Sequence, residues 1–159
     1  MLHNSPSPGI AIFPGTFDPF TVGHESIVRR GLDIVDEVVI AIGINDSKKT
    51  YFSLENRIKM LTDFYKDQPR VRIESYDTLT VDFAKTIGAR FILRGIRSVV
   101  DFEYEKAIAD VNRAVSGIET LVLFAEPQIA SINSTHVREL LRFNHDVSAF
   151  IPRGLKLIY

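Results

Sequence analysis

Cysteine is absent from the 159 residues. That removes disulfides, thiolate nucleophiles and thiolate metal sites, and it fits a reducing compartment. An excess of charge is also lacking: 19 Lys and Arg against 20 Asp and Glu leave a formal net charge of −1. A chain so balanced has no broad electrostatic footprint for nucleic acid, so no nucleic-acid partner is expected. Any anionic ligand must be held by a local cluster of positive groups. No apolar run is long enough to span a membrane, and Met1 to Pro8 lacks the basic and apolar regions of a signal peptide. No membrane partner is expected and the cytoplasm is the default location. Hydrophobic residues at 45% and charged residues at 25% are ordinary for a folded protein. The length suits one domain that buries roughly two-thirds of its unfolded surface.

Residues 1–8, with two prolines and two serines, read as a loose tail, and 9–159 as a single domain. Beyond the tail two apolar periods alternate. Ile10 to Phe13 is a short run closed by Pro14-Gly15, as a buried strand would be. From His24 on, Ile27, Val28, Gly31, Ile34 and Val35 recur at helical spacing. Val38 to Ile44 is apolar without alternation, the mark of a strand buried on both faces. The cycle then repeats. Ser53 caps a helix carrying Leu54, Ile58, Leu61 and Tyr65 inward. Val71 to Ser75 is a weaker strand, and a short helix through Val81, Ala84 and Ile87 stops at Gly88. Phe91 to Leu93 is a strand, and the long helix after it has Val100, Tyr104, Ile108, Val111 and Val115 on one face. Leu121 to Phe124 is a fifth strand, followed by a helix starting near Val137. This order predicts an α/β fold with a doubly wound, five-stranded parallel sheet. Ligands of such sheets bind beyond the carboxyl ends of the strands, and most of the unusual polar residues fall there.

Four constellations carry chemistry. In Pro14 to Val28, PGTFDPFTVGHESIV, Gly15 permits a tight turn and close approach of backbone N–H groups to phosphate. His24 shares the inward face of Ile27 and Val28 at a helix start, where an imidazole can donate to a phosphate oxygen or simply cap the helix. Asp18 either orients the loop or aids a metal. In Asp46-Ser47-Lys48-Lys49 the lysines are solvated surface or, by their place after strand two, an anion contact. In Arg94 to Glu105, RGIRSVVDFEYE, two arginines at a strand-to-helix turn can clamp phosphates through planar, multi-donor geometry. They can also pair with Asp101, Glu103 or Glu105. In Ile129 to Thr135, IASINST, Asn133 or Ser134 can cap the next helix.

GTFDP followed by T-x-G-H resembles the signature of the nucleotidyltransferase superfamily. Thr21, where H-x-G-H is commoner, is similar to the phosphopantetheine adenylyltransferase branch, and so is RGIR followed by DFEYE. The resemblance covers roughly Ile10 to Pro152 with four motifs in order. It implies a Rossmann-like domain, generally assembled as a homohexamer, that transfers an adenylyl group from ATP to 4′-phosphopantetheine. By the same resemblance Thr16, Lys48 and Arg94 contact the acceptor phosphate, and Thr80 lines the pantetheine arm. ATP is held by Thr16, by Phe17 through its backbone, by His24, by Gly95, Ile96 and Arg97, and by Glu105 at the ribose or adenine. The turn Ile129, Ala130, Ser131, Ile132, Asn133, Ser134, Thr135 takes the ATP phosphates, with Asn133 where a serine is common. His24 stabilises the transition state; Lys48 and Arg94 act with it. Mg²⁺ is expected with ATP, held by phosphates and waters and not by a protein metal site. Feedback by coenzyme A, which shares the pantetheine arm and adenine, fits the same picture.

With no cysteine and no Ser-His-Asp spacing, direct in-line displacement fits better than a covalent enzyme intermediate. Two rivals stay open on the sequence. One is another enzyme of the superfamily, such as a nicotinamide mononucleotide adenylyltransferase or a glycerol-3-phosphate cytidylyltransferase. The other is a nucleotide-binding sensor without turnover.

Overall fold

The computed structural model describes residues 8–45 and 47–159. Of the tail expected over 1–8 only Pro8 falls within that range, and Asp46 also lies outside the described residues. Strands and helices alternate as β1 (Ile10–Gly15), α1 (Val22–Gly31), β2 (Glu37–Gly43), α2 (Leu54–Phe64) and β3 (Val71–Tyr76). They continue as α3 (Thr80–Thr86), β4 (Phe91–Ile96), α4 (Val99–Ser116), β5 (Glu119–Phe124) and α5 (Ser134–Arg142). The sheet runs β3-β2-β1-β4-β5 with every pairing parallel. This is the Rossmann-like, doubly wound arrangement expected from the alternating periods.

The unpatterned apolar strands follow from burial on both faces. Ala11 and Phe13 of β1, with Val38, Ile40 and Ile42 of β2, enter one core cluster together with α1, α2 and α5. Their alternates Ile12, Val39 and Ala41 enter a second cluster against α3. A strand with period two and two apolar sides loses its alternation in sequence. Ser53 accepts the Asn56 N–H at 3.1 Å and so caps α2. Gly88 and Gly117, at φ +70° and +73°, follow α3 and α4 in the left-handed region that ends helices.

Helix α4 departs from the usual rule. Its apolar residues do share a face, but that face points outward: Val100 is 74% exposed, Tyr104 66% and Val111 61%. The buried side chain of α4 is Glu105. The helix is turned so that Asp101 and Glu105, not its valines, meet the arginines at the end of β4. Beside it β5 is an edge strand, with Phe124 also exposed.

The winding direction reverses between β1 and β4, and there the sheet opens. Their paired residues are Ala11 with Phe91 and Ile12 with Ile92, near the start of each strand. Farther along, the Arg94 guanidinium reaches across to the Pro14 carbonyl at 2.6 Å. A crevice at the carboxyl ends of the strands is the expected result at such a switch point.

Candidate active site

The turn after β1 is built around glycine. A Cβ on Gly15 would sit 2.8 Å from the Phe17 ring, closer than packed atoms tolerate. Phe17 itself adopts φ +51° and is 3% exposed, so its ring is core while its backbone stays at the crevice. The side chain of Asp18, also 3% exposed, accepts the N–H of Tyr51 at 2.7 Å and of Phe52 at 2.9 Å. Arg57 donates to the Thr16 carbonyl at 2.7 Å and to the Phe52 carbonyl at 3.3 Å. These bonds tie the first turn to the segment after β2, which carries Lys48. The Asn45 side chain accepts from Ser47 in a local turn, and the Lys48 ammonium donates to the Thr16 hydroxyl at 3.3 Å.

His24 opens α1 in a reciprocal cap with Thr21. The Thr21 hydroxyl accepts the His24 N–H, and His24 Nδ1 accepts the Thr21 backbone N–H at 3.0 Å. A backbone N–H can only donate, so Nδ1 carries the lone pair and the neutral ring carries its proton on Nε2. Phe13, Phe17 and Phe20 ring the imidazole, with centroids 6.1, 5.1 and 5.4 Å away. Burial among them, reinforced by the positive charges of Arg97 and Arg94, lowers its pKa to about 3. The residue is thus a neutral hydrogen-bond donor at ordinary pH. Capping and donation, alternatives in the sequence, are two uses of two different nitrogens.

Both arginines at the end of β4 are held by carboxylates of α4. Arg94 pairs with Glu105 through Nε–Oε2 at 2.8 Å and Nη2–Oε1 at 2.5 Å. Arg97 pairs with Asp101 at 3.1 Å. Across the crevice the side chains that open α5 are already committed. Asn133 caps the helix by accepting the His136 N–H at 2.9 Å. Ser134 donates to the Pro19 carbonyl at 2.8 Å, and Thr135 accepts from Arg138. The first backbone N–H groups of α5 have no partner within the helix, so they form an anion-binding end.

Two cavities result. The first, about 350 Å³, is lined by Thr16, Phe17, His24, Lys48, Arg94, Gly95, Arg97 and Glu105, and by Ile129, Ile132, Asn133, Ser134 and Thr135. The second, about 370 Å³, runs between α3 and α4 and holds Thr80, whose hydroxyl lies 3.0 Å from that of Tyr76. Thr16, Lys48, Arg94 and Glu105 line both, so they form the wall between them. Of the candidate residues, Ile96 is buried and lines neither cavity, and Ala130 and Ser131 of the turn before α5 line neither. Among the described residues no cluster of three or more His, Asp or Glu could hold a metal ion.

Three side chains at the site are not among the candidates named from the sequence. Arg138 lines the first cavity and donates to the Asp18 carbonyl at 2.8 Å. Its place one turn into the helix after IASINST was a usable signal. Arg57 stands alone in an ordinary amphipathic helix and gave none. Asp101 was weighed only as an ion-pair partner, which is how it appears, although it also lines the cavity.

Similarity to known proteins agrees with this geometry. A family model described as cytidylyltransferase-like matches residues 12–140. A phosphopantetheine adenylyltransferase of Bacteroides fragilis is 60% identical, over 92% of this chain and 98% of that one. The protein of the same description from Porphyromonas gingivalis is 49% identical over 93% and 97%. Among solved structures, a Plasmodium falciparum nicotinic acid mononucleotide adenylyltransferase complexed with NaAD superposes with a TM-score of 0.62. It is 19% identical, over 90% of each chain, and shows the fold alone. A bifunctional NMN adenylyltransferase/ADP ribose pyrophosphatase from Francisella tularensis gives 0.71 at 18% identity, covering 90% of this chain and 44% of that one. On the family match and the extent of these identities, the chain belongs to the phosphopantetheine adenylyltransferase family of nucleotidyltransferases.

Proposed function

We infer that this chain is an enzyme that moves the adenylyl group of ATP onto 4′-phosphopantetheine, giving dephospho-coenzyme A and pyrophosphate in coenzyme A biosynthesis. The observation that carries the reading is the pair of adjoining cavities that meet at Thr16, Lys48 and Arg94. A nucleotide on one side and a phosphorylated arm on the other would bring their phosphates together at that wall. The relatives that share about half or more of this sequence carry the name of that activity.

In this reading the acceptor phosphate oxygen attacks the α-phosphorus in line. The bond from that phosphorus to the bridging oxygen breaks, and pyrophosphate leaves. The enzyme's part is positioning and charge stabilisation. Lys48, Arg94 and the Thr16 hydroxyl would hold the acceptor phosphate. His24 would donate from Nε2 to an oxygen of the crowded phosphorus, and being neutral it would give a hydrogen bond without surrendering a proton. Arg97 and the N–H groups opening α5 would take the β- and γ-phosphates. The second cavity, with Thr80 at its edge, would take the pantetheine arm.

Mg²⁺ would enter with ATP and offset phosphate charge there. Asp18, the carboxylate nearest in sequence to the turn, already has both oxygens on backbone N–H groups. The donors available thus suit a cation held by phosphates and water. The outward apolar face of α4 and the exposed edge of β5 support self-association, which we assign to a homohexamer. No helix among the described residues is long and apolar enough to cross a membrane, and we assign the chain to the cytoplasm. Coenzyme A, bearing both an adenine and a pantetheine arm, could span both cavities and so act as a feedback ligand.

The test is pyrophosphate release from ATP and Mg²⁺ with 4′-phosphopantetheine, nicotinamide mononucleotide, or glycerol 3-phosphate with CTP. Turnover confined to phosphopantetheine is expected. Turnover with another acceptor would move the chain elsewhere in its superfamily, and none at all would make it a nucleotide-binding sensor.

A further inference from the structure

Ser26 is 2% exposed in the middle of α1, where a serine commonly returns its hydroxyl to the backbone of its own helix. Here the hydroxyl reaches across the chain and donates to Oε1 of Glu126 at 2.7 Å. Arg29 Nη2 donates to the same oxygen at 2.9 Å, and Arg30 Nη1 to the Phe124 carbonyl at 2.7 Å. Ser26, Arg29 and Arg30 have the spacing of one helix face. That face of α1 grips the chain where it leaves β5.

Glu126 lies in the segment 125–133, which joins β5 to α5. Its carbonyl accepts the Ile129 N–H at 3.0 Å, and the Ile129 carbonyl accepts that of Ile132 at 3.0 Å, so successive turns start from Glu126. Ile129 and Ile132 line the first cavity, whereas Glu126 lines neither. The Ile132 carbonyl oxygen passes 3.9 Å from the place a Cβ on Gly23 would take, so the segment lies over the first turn of α1. Its far end is held separately, by the Asn133 cap and by Ser134 on the Pro19 carbonyl.

We propose that Glu126 is a positioning residue: anchored on Ser26, it holds the 125–133 segment against α1 and so sets the apolar wall of the first cavity, acting on ATP and not on the acceptor. The inference rests on the proposed function, which puts the nucleotide in that cavity. Of the two side-chain anchors, Ser26 is the stronger. The Arg29 side chain is 59% exposed, and an ion pair so open to water holds little. The Ser26 hydroxyl is buried and its acceptor is charged, the shorter and stronger kind of hydrogen bond. That bond, ahead of Arg29, keeps the Glu126 carboxyl below its ordinary pKa, so the anchor stays ionised at neutral pH. No described residue of 125–133 lines the second cavity, so loosening the segment changes the nucleotide side alone.

The experiment uses the full chain as wild type, Glu126→Gln, Glu126→Ala, Ser26→Ala, Arg29→Ala and the Ser26→Ala/Glu126→Ala double variant. Titration calorimetry gives the Kd for ATP, and pyrophosphate release gives kcat and the KM for ATP and for phosphopantetheine. Glu126→Ala should raise the Kd and KM for ATP about three- to tenfold, less than a fully buried bond to a charge because the carboxylate is partly open to water. Glu126→Gln keeps an oxygen for Ser26 but not the charge, and should fall between Glu126→Ala and the wild type. Arg29→Ala should stay within about twofold of the wild type. The kcat and the acceptor KM should stay within about twofold throughout, a split that general loosening does not give. Ser26→Ala should match Glu126→Ala, and the double variant should be no worse than either. Unchanged ATP affinity in Glu126→Ala, an equal rise in both KM values, or multiplying effects of Ser26→Ala and Glu126→Ala would each overturn the proposal. A wild type that binds ATP but turns over no acceptor would overturn the proposed function alone, with the calorimetric comparison still deciding the role of Glu126. A wild type that binds no ATP would overturn both. Should Glu126→Ala melt early, Glu126→Gln has the same shape and carries the comparison.

Discussion

The backbone N–H of Thr21 donates to Nδ1 of His24 at 3.0 Å, and this one bond dictates which nitrogen of the imidazole faces substrate. It fixes the neutral tautomer with Nε2 protonated, so the donor is in place before any ligand arrives. Such a preorganised donor is worth about 10²–10³ in rate. His24→Ala should therefore lower kcat by about that factor or more with little change in either KM. Steady-state kinetics with both substrates varied would show it, and a defect confined to KM would remove His24 from the transition state.

Asp18 acts at longer range. Its two oxygens accept from Tyr51 and Phe52, which lie just beyond the Lys48 segment. Asp18→Asn keeps one acceptor and turns an NH₂ toward the other N–H. Leaving a buried donor unmet costs about 1–3 kcal/mol, readable as a drop in the urea midpoint at unchanged m-value. The same change loosens the segment that holds Lys48 against Thr16, so the acceptor KM should rise as well. A variant with wild-type stability would show that Asp18 does not tie the two turns together.

Much of the fold could be read from the sequence because β1 and β2 are buried on both faces, which leaves an apolar run no surface strand would show. The site was legible where function needed a motif, as in the glycine turn after β1 and the paired arginines after β4. Two things could not be read. An apolar stripe on a helix predicts burial but not what covers it, and in α4 the stripe lies outward while Glu105 is buried. Side-chain pairings between distant segments leave no local pattern either: Arg57 reaches the Thr16 carbonyl across 41 positions, and nothing near Arg57 announces it.

The outward stripe of α4 is itself testable. Val100, Tyr104, Val111 and Val115, with Phe124 on the neighbouring edge strand, are all more than 60% exposed. In the proposed homohexamer this apolar face would lie between chains. Val111 lines neither cavity, so changing it separates assembly from chemistry. The wild-type chain should sediment as a hexamer, and Val111→Glu should shift it to smaller species. An unchanged mass distribution would place the interface elsewhere.

His24 also links stability to pH. Burial among three phenylalanines, with Arg97 and Arg94 nearby, lowers its pKa from 6.5 to about 3 in the free protein. Between those values the unfolded chain carries a proton on this ring and the folded chain does not. Unfolding then takes up a proton, and stability falls as pH drops from about 6.5 toward 3. Carboxylates titrate in the lower part of that range, so the comparison must be with a variant lacking the imidazole. His24→Asn removes the titrating group and retains an amide to accept from Thr21. Urea midpoints measured from pH 7 down to pH 4.5 should fall more steeply for the wild type than for His24→Asn. Parallel curves would mean that His24 titrates alike in both states, and the neutral donor assigned to the site would then lose its physical basis.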